Sequence, residues 1–263
     1  MQKPKAAARR LLEAHERREQ FVPLPPELAP RDAEEAYAIQ DAYVAGRAQR
    51  LGAIAGYKIA LSTPEMQRFV GVDQPQAGVM LASTLHRTPA RVRAADYVRL
   101  IVEFEIAFEM AVDLPAADAP YSASRIARFV RAVMPAFELA DDRNADYREL
   151  ARHPFELIAD NAWNEGAVLG TPIEDWRAID LAAVAGRATI NGSAVGEGLG
   201  AAAMGHPLEA LAWIANHLAA QGRGLVYRDV VITGSLITTK TVKPGDLVRF
   251  EIERLGAVEL RVD

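Results

Sequence analysis

Glu103 and Glu105 stand two residues apart inside the clearest alternating stretch of the chain, Val98 to Met110. Read as a strand, one face carries Val98, Leu100, Val102, Phe104, Ile106, Phe108 and Met110. The other carries Arg99, Ile101, Glu103, Glu105, Ala107 and Glu109, because successive side chains point to opposite faces. The two carboxylates then project together, roughly 6–7 Å apart at the backbone. That separation lets both converge on one divalent cation. It also fits an ordinary solvated strand face, and the spacing alone leaves both readings open. A third carboxylate comes from Pro135 to Asp142, where a short strand would turn Phe137 and Leu139 inward and Glu138 the other way. Asp141 and Asp142 compete with Glu138 for the same part. Three carboxylates on rigid strands make a hard oxygen donor set, suited to Mg²⁺ or Mn²⁺ and unsuited to zinc. Lys58 lies in an otherwise apolar run from Ile54 to Leu61. It is either a snorkelling edge residue or a pocket-facing group able to move protons.

Other candidate motifs carry less. Gly196 to Ala201 scans as G-x-G-x-x-A but follows a hairpin rather than opening a βαβ unit, so a loop is expected there. The 5 histidines form no H-x-x-x-H pair, and Gly234-Ser235-Leu236 lacks the spacing of a nucleophile elbow. Trp163, Trp176 and Trp213 are expected in the core or at an interface.

The elements that must position these groups follow from pattern. Ala6 to Arg18 and about Asp32 to Arg50 read as helices separated by the proline-rich Pro23–Pro30 stretch. From Gly56 onward short strands alternate with turns, including an Asn191-Gly192 hairpin signal and strands at Asp229–Thr233, Leu247–Ile252 and Val258–Val262. Two helices interrupt this body. One is capped by Ser122, with Ile126, Phe129, Val130 and Val133 at helical spacing, and one carries Leu208, Leu211, Ala212 and Ala215. Strand runs broken by isolated helices place the chain in the α+β class. The expected division is a helical N-terminal extension over 1–55 and a β-rich catalytic domain over 56–263.

Composition narrows the function classes. The chain has 263 residues, 30 Lys+Arg against 35 Asp+Glu, a net charge of −5, 50% hydrophobic residues and no Cys. Thiolate metal sites, disulfides and a Cys nucleophile are excluded. The acidic balance offers no footprint for nucleic acid, and no apolar run approaches the length of a membrane span. A cytoplasmic enzyme is the expectation.

Several blocks, taken in order, carry a family resemblance. They are Gly56-Tyr-Lys-Ile-Ala-Leu61, Gly71-Val-Asp-Gln-Pro75, Val102-Glu-Phe-Glu-Ile-Ala-Phe108 and Met134-Pro-Ala-Phe-Glu-Leu139. Ala159-Asp-Asn-Ala162, Gly205-His-Pro-Leu208 and Ile232-Thr-Gly-Ser-Leu236 complete the series. The chain resembles the 2-keto-4-pentenoate (2-hydroxypentadienoate) hydratases and 4-oxalocrotonate decarboxylases of the fumarylacetoacetate hydrolase superfamily. The resemblance implies a mixed β-sandwich or roll behind a helical lead-in, and a homo-oligomer. It implies Mg²⁺ or Mn²⁺ on Glu103, Glu105 and Glu138, proton transfer by Lys58, and substrate contacts from Gln76, Asp160, Asn161 and Ser235.

The implied substrate is a small anionic 2-oxo or 2-hydroxydienoate acid that chelates the cation through its carboxylate and C2 oxygen. The implied reaction is addition of water to a 2-hydroxy-2,4-dienoate. Decarboxylation of a 2-oxo-3-enedioate, acylpyruvate hydrolysis and a non-catalytic 2-oxo-acid-binding paralogue are the alternatives. Two departures bear on the choice. Gln76 stands where hydratases of this family often carry an acid, and a neutral amide is no general base. Trp163-Asn164-Glu165 is also bulkier than the family's small-residue loop.

Overall fold

A computed structural model describes residues 3–263. The chain opens with α1 (Lys3–Glu16) and α2 (Ala33–Leu51), followed by β1 (Ile54–Ala60), α3 (Pro64–Val70), β2 (Gln76–Leu81), β3 (Leu85–Arg87), β4 (Ala90–Val92) and β5 (Leu100–Met110). Next come α4 (Ala123–Ile126), β6 (Val130–Asp141), α5 (Glu156–Ala159), β7 (Asn164–Leu169), β8 (Ala185–Ile190) and β9 (Ser193–Leu199). The chain closes with α6 (Pro207–Ala220), β10 (Val230–Ile232), β11 (Lys240–Thr241), β12 (Leu247–Ile252) and β13 (Gly256–Val262). No described helix is long and apolar enough to cross a membrane.

Two mixed sheets form the α+β body. The larger runs β2-β1-β10-β5-β6-β7-β3, with β11 also pairing with β5, and the smaller runs β4-β13-β12-β8-β9. The wholly apolar face of β5 supplies the core between them, where Phe104 meets Phe137 and Phe250 edge-on at ring separations of 5.6 and 5.5 Å. Asp32 caps α2 by accepting from the Glu35 amide at 2.8 Å, and α2 packs on α1 and α5.

The long central pair is β5 and β6, antiparallel over their whole length, with Glu103 opposite Glu138 and Ile101 opposite Ala140. On the face turned away from the main core, this pair reads in three bands. Ala107, Met134 and Ala136 belong to one apolar cluster, the glutamates come next, and Ile101 and Ala140 belong to a further apolar cluster.

Two local expectations need correction. The helix after Ser122 ends at Ile126 and tightens into a 3₁₀ turn to Phe129, and Val130 and Val133 lie in β6. Their spacing suits a helix, but Pro135 cannot continue one, and β6 is buried nearly throughout, which hides the period-2 signature. Gly196 to Leu199 is strand rather than loop, paired with β8, and only Gly200 to Ala202 forms a turn. The Asn191-Gly192 hairpin forms as expected, with φ of 53° and 79°.

Candidate active site

One oxygen from each of Glu103, Glu105 and Glu138 lies within 4.8 Å of the others. The strand register makes this possible: Glu103 and Glu138 are direct cross-strand partners, and Glu105 is the next same-face position along β5. Glu105 and Glu138 are fully buried, and Glu103 is half-buried. Each carboxylate is also anchored. Glu103 Oε1 accepts from Thr239 Oγ1 at 3.1 Å, Glu105 Oε2 from the Gly234 amide at 2.6 Å, and Glu138 Oε1 from Asn164 Nδ2 at 2.9 Å.

Lys58 completes the cluster, with its Nζ 3.0 Å from Glu138 Oε2. It projects from β1 opposite Gly78 of β2. A Cβ on Gly78 would lie 2.8 Å from Lys58 Cγ and 2.9 Å from the Asn161 carbonyl, so the lysine stem passes over a position that must lack a side chain.

The electrostatics match the geometry. Burial opposes the Lys58 ammonium, but Glu138, Glu103 and Glu105 outweigh it and raise its pKa. Burial and then the charges of Glu138 and Glu103 push Glu105 well up. Burial pushes Glu138 up to about 7, against the pull of Lys58. With all three carboxylates ionised, the cluster and Lys58 together carry two net negative charges, which a divalent cation brings to zero. Glu105 Oε1 is buried with no hydrogen-bond partner, an expensive state that a cation would relieve. The residues present therefore fit an oxygen-liganded divalent cation.

The cluster opens onto a cavity of about 830 Å³. Lys58, Glu103 and Ser235 line the end with the carboxylates, and Trp163 is also on the wall. Ser235 accepts from the Phe104 amide at 2.9 Å and donates to the Ile237 carbonyl at 2.7 Å, pinning the Gly234–Thr239 segment along β5.

The other three expected substrate contacts do not line the cavity. Gln76 opens β2 and donates to the Pro154 carbonyl at 3.2 Å. Asp160 is buried between His15, whose Nε2 is 2.7 Å away, and Arg143. Asn161 clamps Val79 twice, accepting from its amide at 2.7 Å and donating to its carbonyl at 2.9 Å. The structure thus turns Asp160 and Asn161 to holding an unusual turn. Asn161, Ala162 and Trp163 are left-handed in succession, with φ of 54°, 49° and 58°. Such residues persist only where their surroundings fix them. This turn presents Ala162 and Trp163 to the cavity and Asn164 to Glu138.

Sequence reasoning did not single out Thr239, Asn164 as an anchor, or Gly78. Thr239 is a short polar residue in an irregular segment and Asn164 is the first residue of a strand, so neither has a periodicity to mark it. Gly78 would be visible only from the β1–β2 register.

The site and fold can now be set beside known proteins. The chain belongs to the fumarylacetoacetate hydrolase C-terminal family, whose model matches residues 47–263. It is 35% identical over 251 residues to a 2-keto-4-pentenoate hydratase of Paraburkholderia phymatum, covering 95% of this chain and 94% of the relative. It is 32% identical over 210 residues to a 2-hydroxyhexa-2,4-dienoate hydratase of Comamonas testosteroni, covering 79% and 78%. The fold is shared with the 4-oxalocrotonate decarboxylase of Pseudomonas putida G7, solved with magnesium and adipate. The TM-score is 0.90 at 23% identity, over 99% of this chain and 97% of that one.

Proposed function

We propose that this protein is a divalent-metal-dependent hydro-lyase of aromatic-compound breakdown. It adds water to a 2-hydroxy-2,4-dienoate to give a 4-hydroxy-2-oxo acid. The observation that carries the reading is the Glu103–Glu105–Glu138 cluster, largely buried, with Lys58 at the end of a cavity. Relatives named for this hydration, at 30% identity or more over most of the chain, support it.

Glu103, Glu105 and Glu138 would hold the cation, Mg²⁺ or Mn²⁺ by their all-oxygen chemistry. When bound, the cation supplies Lewis-acid stabilisation of negative charge on the substrate C2 oxygen. Lys58 Nζ stands on the cavity wall 3.0 Å from Glu138. The carboxylates favour its ammonium when no cation is bound, and a divalent charge beside it would oppose that and leave a group able to give and retake a proton as the dienol becomes the conjugated enone. Water then adds across that enone, its oxygen to C4 and its hydrogen to C3. The Gly234 amide, Thr239 and Asn164 fix the carboxylates so that little reorganises during the reaction. Gln76 does not count against hydration: its side chain lies off the wall, so an amide at 76 takes no acid out of the cavity. A cytoplasmic homo-oligomer is part of the same proposal.

Incubation with 2-hydroxypenta-2,4-dienoate tests the reading. The dienoate absorbance should fall, with a product heavier by one water, and both a chelator and Glu105→Gln should abolish the change. Carbon dioxide release from a 2-oxo-3-enedioate without any hydration, or full activity in the chelator, would overturn it.

A further inference from the structure

We propose that the substrate of this site carries a single carboxylate and, at its far end, an apolar substituent of several carbons. The inference rests on the hydratase reading for the chelating head of the molecule and extends it to the tail.

The β5–β6 ladder sets out the cavity floor in order. Beyond the Glu103–Glu138 pair, the next same-face pair is Ile101 and Ala140, about 7 Å along by strand rise, and Arg99 and Asp142 follow. The cavity is lined by Glu103, Ile101, Ala140, Arg99 and Asp142, but not by Ala107 or Ala136 on the other side of the carboxylates. It therefore extends from the acidic cluster in one direction only, over the apolar pair.

The walls on that side are a hydrophobic cluster separate from the main core: Val70, Ile101, Ala140, Leu150, Leu157 and Trp163, with Ala145 and Ala162. Every member of this cluster also lines the cavity. In a closed core such residues would complete one another's contacts, whereas here their shared centre is the cavity itself. Its volume of about 830 Å³ lies in the upper part of the range, about 300–1,000 Å³, that encloses drug-sized ligands. A five-carbon acid would leave most of that apolar surface against water.

The charges on the wall oppose a second carboxylate. Among the described residues, the cations on the cavity wall are Lys58 and Arg99. Lys58 is paired with Glu138. Arg99 is bound two-pronged by Asp142, its Nε at 2.6 Å, and Asp142 also accepts from Tyr147 at 2.9 Å. The remaining charged wall group, Asp146, is itself acidic and paired with Arg148 at 2.7 Å. A distal carboxylate would meet the Nε–Nη2 edge of Arg99 already taken and would stand beside the carboxylates of Asp142 and Asp146, which repel it.

Titration calorimetry on the Mg²⁺-loaded protein separates the possibilities, using 2-oxobutanoate, 2-oxohexanoate, 2-oxooctanoate and the dicarboxylate 2-oxoadipate. Affinity should rise about three- to fourfold per added methylene, and 2-oxoadipate should bind at least tenfold more weakly than 2-oxohexanoate. Ala140→Met, which fills the floor, should erase the gain with length while 2-oxobutanoate still binds. If that variant does not fold, the wild-type series decides alone. A flat series, or 2-oxoadipate binding as tightly as 2-oxohexanoate, overturns the inference and leaves the hydratase reading standing. Failure of every 2-oxo acid to bind overturns both together.

Discussion

Lys58 and Gly78 are cross-strand partners, and the missing side chain of Gly78 is the space through which the Lys58 stem reaches Glu138. Gly78→Ala should therefore act on the lysine first. A displacement of about 1 Å at a catalytic group can cost on the order of 100-fold in rate, and overpacking about 1–3 kcal/mol of stability. Turnover and urea unfolding on the same preparation check this, and wild-type kcat in the variant would contradict it.

Removing the ammonium tests the charge balance. Lys58→Met leaves three neighbouring buried or half-buried carboxylates without their cation. Breaking a buried pair in this way costs about 3–5 kcal/mol. The metal-free variant should melt well below the metal-free wild type and gain more than the wild type on adding Mg²⁺. Equal melting temperatures without metal would show that Lys58 does not balance the cluster.

Asn164 holds Glu138 by a 2.9 Å hydrogen bond and touches nothing else in the cluster. Loss of such an outer support typically weakens metal affinity about 10- to 100-fold. Asn164→Ala should show that loss in a calorimetric Mg²⁺ titration, with Asn164→Asp no rescue because it adds a fourth negative charge.

A buried network beneath the cavity carries its own pH dependence. His15 lies between Asp160 at 2.7 Å and Glu165 at 3.2 Å. Burial opposes its charge, but Asp160 and Glu165 outweigh burial and raise its pKa from 6.5 to about 9. A pKa raised on folding adds stability that is fully present below about pH 6.5 and is lost as pH rises through about 9. The shift corresponds to on the order of 3 kcal/mol. Urea unfolding between pH 6 and pH 10 should show this decline in the wild type and a flatter curve in His15→Gln.

The alternation of Val98 to Met110 made β5 and its glutamate pair legible, because one face of that strand meets the main core and the other does not. Glu138 against Asp141 and Asp142 was not decidable from spacing. The register separates them: Asp141 accepts from the Val98 and Arg99 amides just before β5, Asp142 takes the Arg99 side chain, and Glu138 is the one of the three that faces Glu103. A loop is expected over Gly196 to Ala201 because the segment follows a hairpin without opening a βαβ unit, and its glycines carry no strand pattern. A Cβ on Gly198 would lie 2.0 Å from the Leu236 carbonyl, so its glycine answers to a neighbour 38 positions away that no local window contains. Asp160 and Asn161 stand out in sequence beside the site, although neither lines the cavity. They are polar, adjacent and next to the site, yet their partners His15, Arg143 and Val79 come from three remote parts of the chain.

The bond between His15 of α1 and Asp160 joins the start of the chain to the left-handed turn that shapes the cavity wall. Undocking α1 removes one of the two partners that keep Asp160 charged and in place, so helix and turn should open as one cooperative unit. Amide exchange at Asn161 to Trp163 should then rise in step with exchange in α1. A chain starting after residue 20 should keep the three clustered carboxylates on β5 and β6 but bind long-chain acids no better than short ones. The first helix would in that sense be a component of substrate choice, acting at a distance from a cavity it does not line.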